Sequence, residues 1–496
     1  MTITDPVTIL SIILCILVAI LYYGCSRNHC RNHCHNLPPG PTPLPIIGNI
    51  HILNFKRPYE TLHQLSKKYG PVYSIQIGEE KMVVLAGYET VKDALVNHAD
   101  TFSERAIVPL YDEIMMGHGV IFAHDENWRV MRRFTLSTLR NFGMGTETTE
   151  NKIKDESDFL VKKINTYEGK PFDNTDIING AFSNIIVSIL LSHRFDYDDP
   201  TLLRLMKIFC DNVKLVGSPM AMLYNAFPSV LSWFPGIQKT LANNRDDIFQ
   251  FVRETFTAQK KQLDVNDQRN LIDRFLVKQQ EEKPNPKLYF TNENLLALVM
   301  DLFAAGMETT STTLRWGLLL MMKYPEIQRK VQNEIDKVIG TSAPQATHRK
   351  EMPYTDAVIH EIQRYGNIVP ANLPHATTQD VTFRGYFIPK GTYIIPLLTS
   401  VLYDKDHFEK PEVFYPEHFL DAGGNFVKNE AFMPFSAGKR SCAGENLAKM
   451  ELFMFFTKLL QNFTFQAPPG ATLDLTPTAF VICTPMSHMM CAVPRI

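Results

Sequence analysis

Net charge is nearly absent from this 496-residue chain: 50 Lys and Arg stand against 52 Asp and Glu, leaving −2. With a sequence pI of about 6.7, that balance gives no compositional case for nucleic-acid binding. Internal repeats and long low-complexity segments are also missing, so the fold is not a tandem array. Cysteine is sparse, with eight in all, and four of these (Cys15, Cys25, Cys30, Cys34) fall near the N-terminus. No Cys-x-x-Cys pair occurs, which argues against zinc or iron–sulfur sites in the body. Gly438-Lys439 lacks the earlier glycine of a phosphate loop, so nucleotide binding is poorly supported.

Charged residues are missing altogether from 7–23, VTILSIILCILVAILYY. Seventeen such residues reach the lower limit for a membrane-spanning helix. A cleaved signal peptide competes, but the run is long and no A-x-A-like site follows it. Asp5 precedes the run and Arg27 and Arg31 follow, which places the body in the cytosol. The reading is a membrane anchor over 1–26, a basic tether and proline-rich hinge over 27–49, and one body over 50–496. In a reducing cytosol Cys210, Cys442, Cys483 and Cys491 are free thiols, and the sequon at Asn462 is silent.

The tether holds Cys25, Cys30, Cys34, His29, His33 and His35. Zinc binding or palmitoylation is conceivable there, but no standard zinc spacing is present and a solvated tether is the plainer reading. LPPGPTPLPIIGN follows, and its five prolines predict a stiff linker that cannot be helical.

What the chain has in quantity is apolar material: 45% hydrophobic residues, including 32 Phe, enough for a sizeable core. Residues 71–87 read as two strands around a Gly-Glu-Glu-Lys turn, and 381–396 as a second strand pair. Helical periodicity dominates elsewhere, so the expected class is mainly α with a small β portion. Polar residues 279–289 predict a loop, and a long helix follows over 292–323, stopped by Tyr324-Pro325. Its middle, AAGMETTSTT, places Gly306 and β-branched threonines where helix formers belong, at a cost of about 1 kcal/mol for the glycine. A locally widened helix carrying the acid–alcohol pair Glu308-Thr309 explains this better than a solvated face.

The tetrapeptide EIQR occurs at 326–329 and again at 361–364. As an i,i+3 pair, each contributes only about 0.2–0.5 kcal/mol on an exposed helix. The first starts just after a proline and reads as a surface helix start. The second stands between the long helix and a distinctive cysteine, Cys442, within FMPFSAGKRSCAGENLAKMELFMFFTKLL. The second half of that segment reads as an amphipathic helix with Cys442 at its N-terminus, where unpaired N–H groups and the helix dipole favour a thiolate. Gly438 and Gly444 would allow backbone to approach a flat ligand, and Arg440 could meet an anion. A nucleophile, an inert buried thiol and a metal ligand all fit these residues.

Phe435-x-x-Gly438-x-Arg440-x-Cys442-x-Gly444 resembles the haem-ligand signature of the cytochrome P450 family. Ala305-Gly306-Met307-Glu308-Thr309 is similar to that family's oxygen-activation motif, Glu361-x-x-Arg364 to its E-x-x-R motif, and Trp128-x-x-x-Arg132 to its W-x-x-x-R helix. The resemblance covers the whole chain and, through LPHAT, FMPFSAGKR and HFLDAGGNF, is most like the microsomal family-2 enzymes of vertebrates. It implies a cytochrome P450 fold with a single N-terminal transmembrane anchor in the endoplasmic reticulum membrane.

It also implies roles. Cys442 would be the axial thiolate of haem b (iron protoporphyrin IX), with Phe435 beside it, and Trp128, Arg132, His375 and Arg440 would bind the propionates. A thiolate ligand promotes O–O cleavage, for which Glu308 and Thr309 would supply protons. Phe122, Phe303, Ala304, Val369 and Ile482 would line an apolar substrate pocket. Glu361 and Arg364 would form a triad with His418, which replaces the Arg of the family's P-x-R-F-like segment and makes the triad weaker and pH-sensitive. Arg129, Arg133, Lys439 and Lys449 would dock NADPH–cytochrome P450 reductase or cytochrome b5, or be ordinary solvated charges.

The implied activity is insertion of one oxygen atom from O2 into a lipophilic small molecule (xenobiotic, fatty acid, steroid or retinoid) with electrons from NADPH through the reductase. A haem-thiolate isomerase and a haem-binding protein without turnover are the alternatives. Retention of Glu308-Thr309 counts against both, and the basic face counts against the second.

Overall fold

The structure is a computed structural model that describes residues 11–12, 14–15, 36–142, 147–282, 289–478 and 481–495. Ser11, Ile12, Leu14 and Cys15 are helical. The rest of the expected anchor and the Cys/His tether lie outside the described residues. Among the described residues no helix is long and apolar enough to cross a membrane.

The body divides into two compact units interleaved in sequence, Met1–Ala106 with Asn372–Leu397, and Ile107–Ala371 with Leu398–Ile496. The first is built on strands. β1 (Val72–Ile77) and β2 (Glu80–Leu85) form the expected antiparallel hairpin, with Val72 opposite Leu85 and Gly78 at φ 60° in the turn. β3 (Glu104–Arg105), β4 (His375–Ala376), β5 (Val381–Phe383), β6 (Tyr386–Ile388) and β7 (Tyr393–Pro396) follow.

The main sheet runs β1-β2-β7-β4-β3. The strand pair expected over 381–396 is in fact three strands. β5 and β6 pair through Arg384 and Gly385, both at positive φ as a tight hairpin turn requires. β7 leaves them to run parallel to β2, with Met82 opposite Tyr393.

The proline-rich stretch does not stand free of this unit. Ser74 donates its N–H to Pro39 O at 2.7 Å and its hydroxyl to Pro38 O at 2.9 Å. A side chain at Gly40 would meet Ser74 O at 1.9 Å, so only glycine allows the chain to lie this close to β1.

The second unit is helical, formed by α1 (Asp125–Phe142), α2 (Glu147–Asn165), α3 (Thr175–Leu191), α4 (Pro200–Val216), α5 (Ile237–Lys260), α6 (Leu271–Glu282), α7 (Asn292–Lys323), α8 (Pro325–Val338), α9 (Pro353–Gly366) and α10 (Glu445–Asn462). α6 takes in the first residues of the loop expected over 279–289. The start of α7 is fixed by the Thr291 hydroxyl, which accepts from Asn294 N. Thirty-two residues at 1.5 Å each make α7 about 48 Å long.

α7 is regular α-helix throughout, not widened. Gly306 is there for another reason: a Cβ would sit 2.3 Å from Ile186 Cδ1 on α3. The two helices touch at this glycine. α10 also departs from expectation, because from Glu451 onward it is buried on nearly every side instead of amphipathic. It packs through Phe455 against Phe182 of α3, with ring centroids 4.9 Å apart.

Candidate functional site

The segment leading to Cys442 turns sharply, with Ser436 at φ 60° and Gly438 at φ 75°, and closes when Cys442 N donates to Phe435 O at 3.0 Å. α10 begins three residues later. Arg132 of α1 donates to Ser441 O, which draws the guanidinium next to the thiol. Arg440 donates to Ala123 O at 2.9 Å and lies 3.7 Å over the Trp128 ring, a cation–π contact. Trp128 is buried, and its indole N–H has no hydrogen-bond partner among the described residues.

Cys442 presents accessible surface, yet protein closely surrounds it. Burial pushes the thiol above its ordinary range, with Glu445 adding to the effect, while the Gly444 N–H and Arg132 oppose it. The thiolate preference expected from the helix N-terminus is therefore present but outweighed by desolvation. An accessible sulfur, an unpaired buried indole donor and two guanidinium groups form a donor set that fits a metal-bearing group with anionic arms.

His375 lies in the first unit, on β4, where its Nδ1 is 2.7 Å from Phe102 O.

On α7, Glu308 and Thr309 project about 100° apart, as consecutive helix residues must. Thr309 is half-buried and Ala305, one turn earlier, is exposed, whereas Phe303, Met307, Glu308 and Thr310 are buried. The Thr309 hydroxyl donates to Ala305 O at 2.6 Å. Glu308 is buried on another face, where its carboxylate accepts from the Cys210 thiol at 3.5 Å. Burial raises the Glu308 carboxyl above the usual range, against the pull of Cys210, Arg315 and Lys214.

Glu361, Arg364 and His418 come together. Arg364 binds both Glu361 oxygens at 2.7 Å and donates to Leu402 O, Pro411 O and Val413 O at 2.8–3.0 Å. The His418 ring nitrogens are distinguishable. Lys410 N donates to Nε2 at 3.1 Å, so Nδ1, 3.2 Å from Glu361, carries the proton and donates. The other EIQR copy has Glu326 and Arg329 exposed at the start of α8, with Gln328 between them buried and bonded to Phe465.

Of the pocket candidates, Phe303 and Ala304 lie on α7, and Phe303 stacks on Phe209 of α4 at 4.6 Å. Val369 and Ile482 sit on neighbouring segments joined by Cys483 N donating to Ile368 O at 2.9 Å. Phe122 stacks on Tyr111 at 4.3 Å.

The sequence reading missed what holds the Phe122 loop. Asp301 of α7 accepts from Val120 N at 2.7 Å and Ile121 N at 3.0 Å, and Gly119 (φ 87°) has no room for a Cβ against its carboxylate. The signal was a lone acid in the apolar run LLALVMDLFAAG. Burial pushes Asp301 up to about 7.

The expected docking residues are surface groups. Arg129 pairs with Glu126 at 3.2 Å, Arg133 and Lys439 are exposed, and Lys449 pairs with Glu445 at 2.6 Å. Such pairs contribute roughly 0–1 kcal/mol.

The sequence profile described as cytochrome P450 matches residues 38–492. The chain is 47% identical to cytochrome P450 2K4 of Oncorhynchus mykiss, over 99% of this chain and 98% of that one. It is 48% identical to cytochrome P450 2C5 of Oryctolagus cuniculus, over 99% and 100%, and 48% identical to cytochrome P450 2K6 of Danio rerio, over 91% and 90%.

Proposed function

The chain belongs to the cytochrome P450 family of haem-thiolate monooxygenases, and we propose that it inserts one oxygen atom of O2 into a lipophilic small molecule with electrons from NADPH through a membrane-bound reductase. One observation carries this reading: an accessible cysteine sulfur set beside Arg132, Arg440 and the unpaired Trp128 indole. Cys442 would hold the iron of haem b, with Phe435 at the start of its turn, and Trp128, Arg132 and Arg440 would meet the anionic arms. When bound, the haem supplies the electron-transfer and O–O cleavage chemistry.

The chain's own residues supply position and protons. The open stripe of α7 at Ala305 and Thr309 offers a hydroxyl at an otherwise apolar surface. Burial disfavours the charged form of Glu308 and raises its carboxyl above the usual range, the direction that proton donation needs. Phe122, Phe303, Ala304, Val369 and Ile482 are apolar and carry no fixed charge, which suits a lipophilic substrate such as a xenobiotic, fatty acid, steroid or retinoid. Arg129, Arg133, Lys439 and Lys449 offer positive charge to an acidic electron donor, the reductase or cytochrome b5. The placement that follows is the endoplasmic reticulum membrane, with the body on the cytosolic side.

The test is Thr309→Ala in membranes containing reductase. NADPH consumption should continue while product falls and hydrogen peroxide rises. A positioned proton donor contributes ~10²–10⁴-fold, less where water substitutes. An unchanged ratio of product to NADPH would remove Thr309 from proton delivery. Peroxide rearrangement without NADPH would replace the monooxygenase reading with an isomerase.

A further inference from the structure

Three helices meet at the Glu308 carboxylate. From α3, Asn179 Nδ2 donates to Cys210 Sγ at 3.6 Å, and from α4, Cys210 donates to Glu308 Oε2 at 3.5 Å. These lengths suit hydrogen bonds to and from the larger sulfur atom, which is a weak donor and a weak acceptor. The direction of the chain is fixed. Burial, then Glu308, pushes the Cys210 thiol up to about 12, so the proton stays on sulfur and is donated. Asn179 is buried and turns its amide N–H to sulfur, while its Oδ1 has no hydrogen-bond partner among the described residues.

The groups around Glu308 are few. Arg315 lies seven residues on along the same face of α7, and Lys214 comes from α4, one turn beyond Cys210; both favour the carboxylate. Lys214 pairs instead with Asp211 at 3.8 Å, and Arg315 Nε has no hydrogen-bond partner among the described residues. Cys210 is the side chain with a direct hydrogen bond to it. Meanwhile Thr309, the group that Glu308 is to serve, bonds back to Ala305 O on the open face.

We propose that Cys210 is a positioning residue for proton delivery: with Asn179 behind it, its thiol holds the Glu308 carboxyl on the α4 side of α7, turned away from Thr309. The acid then reaches the Thr309 face only by releasing the thiol. A neutral thiol at 3.5 Å holds the carboxyl group without the tight grip of a salt bridge, so the group is able to turn. A half-buried cysteine acting only as packing would do none of this. The inference rests on the proton-delivery role proposed for Glu308 and Thr309.

Two measurements test it. The first needs no turnover: the infrared S–H stretching band of Cys210 in the holoenzyme, identified by its loss in Cys210→Ser. The band should lie below that of a free thiol and move up in Glu308→Ala. It should move up less in Asn179→Ala, since a donor to sulfur strengthens the bond that sulfur makes. A band indifferent to both substitutions overturns the proposal.

The second is the pH dependence of coupling, read as product per NADPH. Removing a donor from a buried carboxylate should shift the Cys210→Ala profile upward by about 0.5–1 pH unit, with Cys210→Ser restoring it. Superimposable profiles for wild type, Cys210→Ala and Cys210→Ser leave Cys210 a packing residue and overturn the proposal. If Thr309→Ala couples normally while the infrared band responds, the bond exists but the proton-delivery reading fails, and the positioning role fails with it.

Discussion

Arg364 and Glu361 grip each other through two parallel 2.7 Å hydrogen bonds, and neither side chain reaches solvent. A planar guanidinium matched to a carboxylate is the strongest geometry for such a pair. Arg364 also spans three backbone carbonyls from segments 402–413, so it organises the chain ahead of the Cys442 loop. Arg364→Ala should destabilise by roughly 3–5 kcal/mol, because a buried carboxylate is left uncompensated. In the identical tetrapeptide of α8, Arg329→Ala should stay within about 0.5 kcal/mol. Thermal unfolding of both variants checks the contrast.

Cys442→Ser should abolish the strongly red-shifted Soret band of the reduced carbon-monoxide complex. Cys483→Ala and Cys491→Ala should keep it, since both thiols are buried structural groups. A normal band in Cys442→Ser would remove the haem-thiolate assignment of that residue.

Asp301 should make stability pH-dependent. Desolvation raises its folded-state value to about 7, whereas the unfolded chain titrates near the ordinary carboxylate value of 3.8. Between these values the native state binds more protons, so Asp301's contribution is most favourable below about pH 4 and is lost as pH rises toward 7. Asp301→Asn removes this titration and retains an acceptor for Val120 or Ile121. The Tm of wild type relative to Asp301→Asn should therefore fall as pH rises from 4 to 7. Each pKa unit corresponds to about 1.4 kcal/mol, so the drift is measurable.

Gly306→Ala should destabilise by about 1–3 kcal/mol, because its methyl would enter the space of Ile186. Ile186→Ala should recover part of that loss in the double variant. A cycle with no coupling would show that α3 and α7 do not meet through this pair.

These contacts also mark where the sequence stops being legible. The bounds of α7 and the β1–β2 hairpin were readable because a cap, a proline and local alternation specify them. Gly306 was visible as an anomaly, but its cause lies 120 residues away on α3, and a widened helix was the wrong explanation. β7 was read as the partner of its sequence neighbour because local alternation cannot reveal a parallel pairing with β2. Burial hid the rest: Asp301 reads as an ordinary acid until Val120 and Ile121 are seen to converge on it. Glu308 and Thr309 were read as one unit although helix geometry turns them to different faces.

The parallel pairing of β2 with β7 also sets a timetable for synthesis. β2 is made early, yet the strand that completes its sheet follows only after residues 107–371. At ~5–20 residues per second, that interval lasts roughly a quarter of a minute to one minute. Throughout it, the 82–85 edge of the nascent chain is a strand awaiting its neighbour, open to mispairing with any other extended segment. Slowed translation between the two strands should lengthen that exposure, so nascent-chain aggregation should respond to codon changes within 107–371 even though the finished protein is identical.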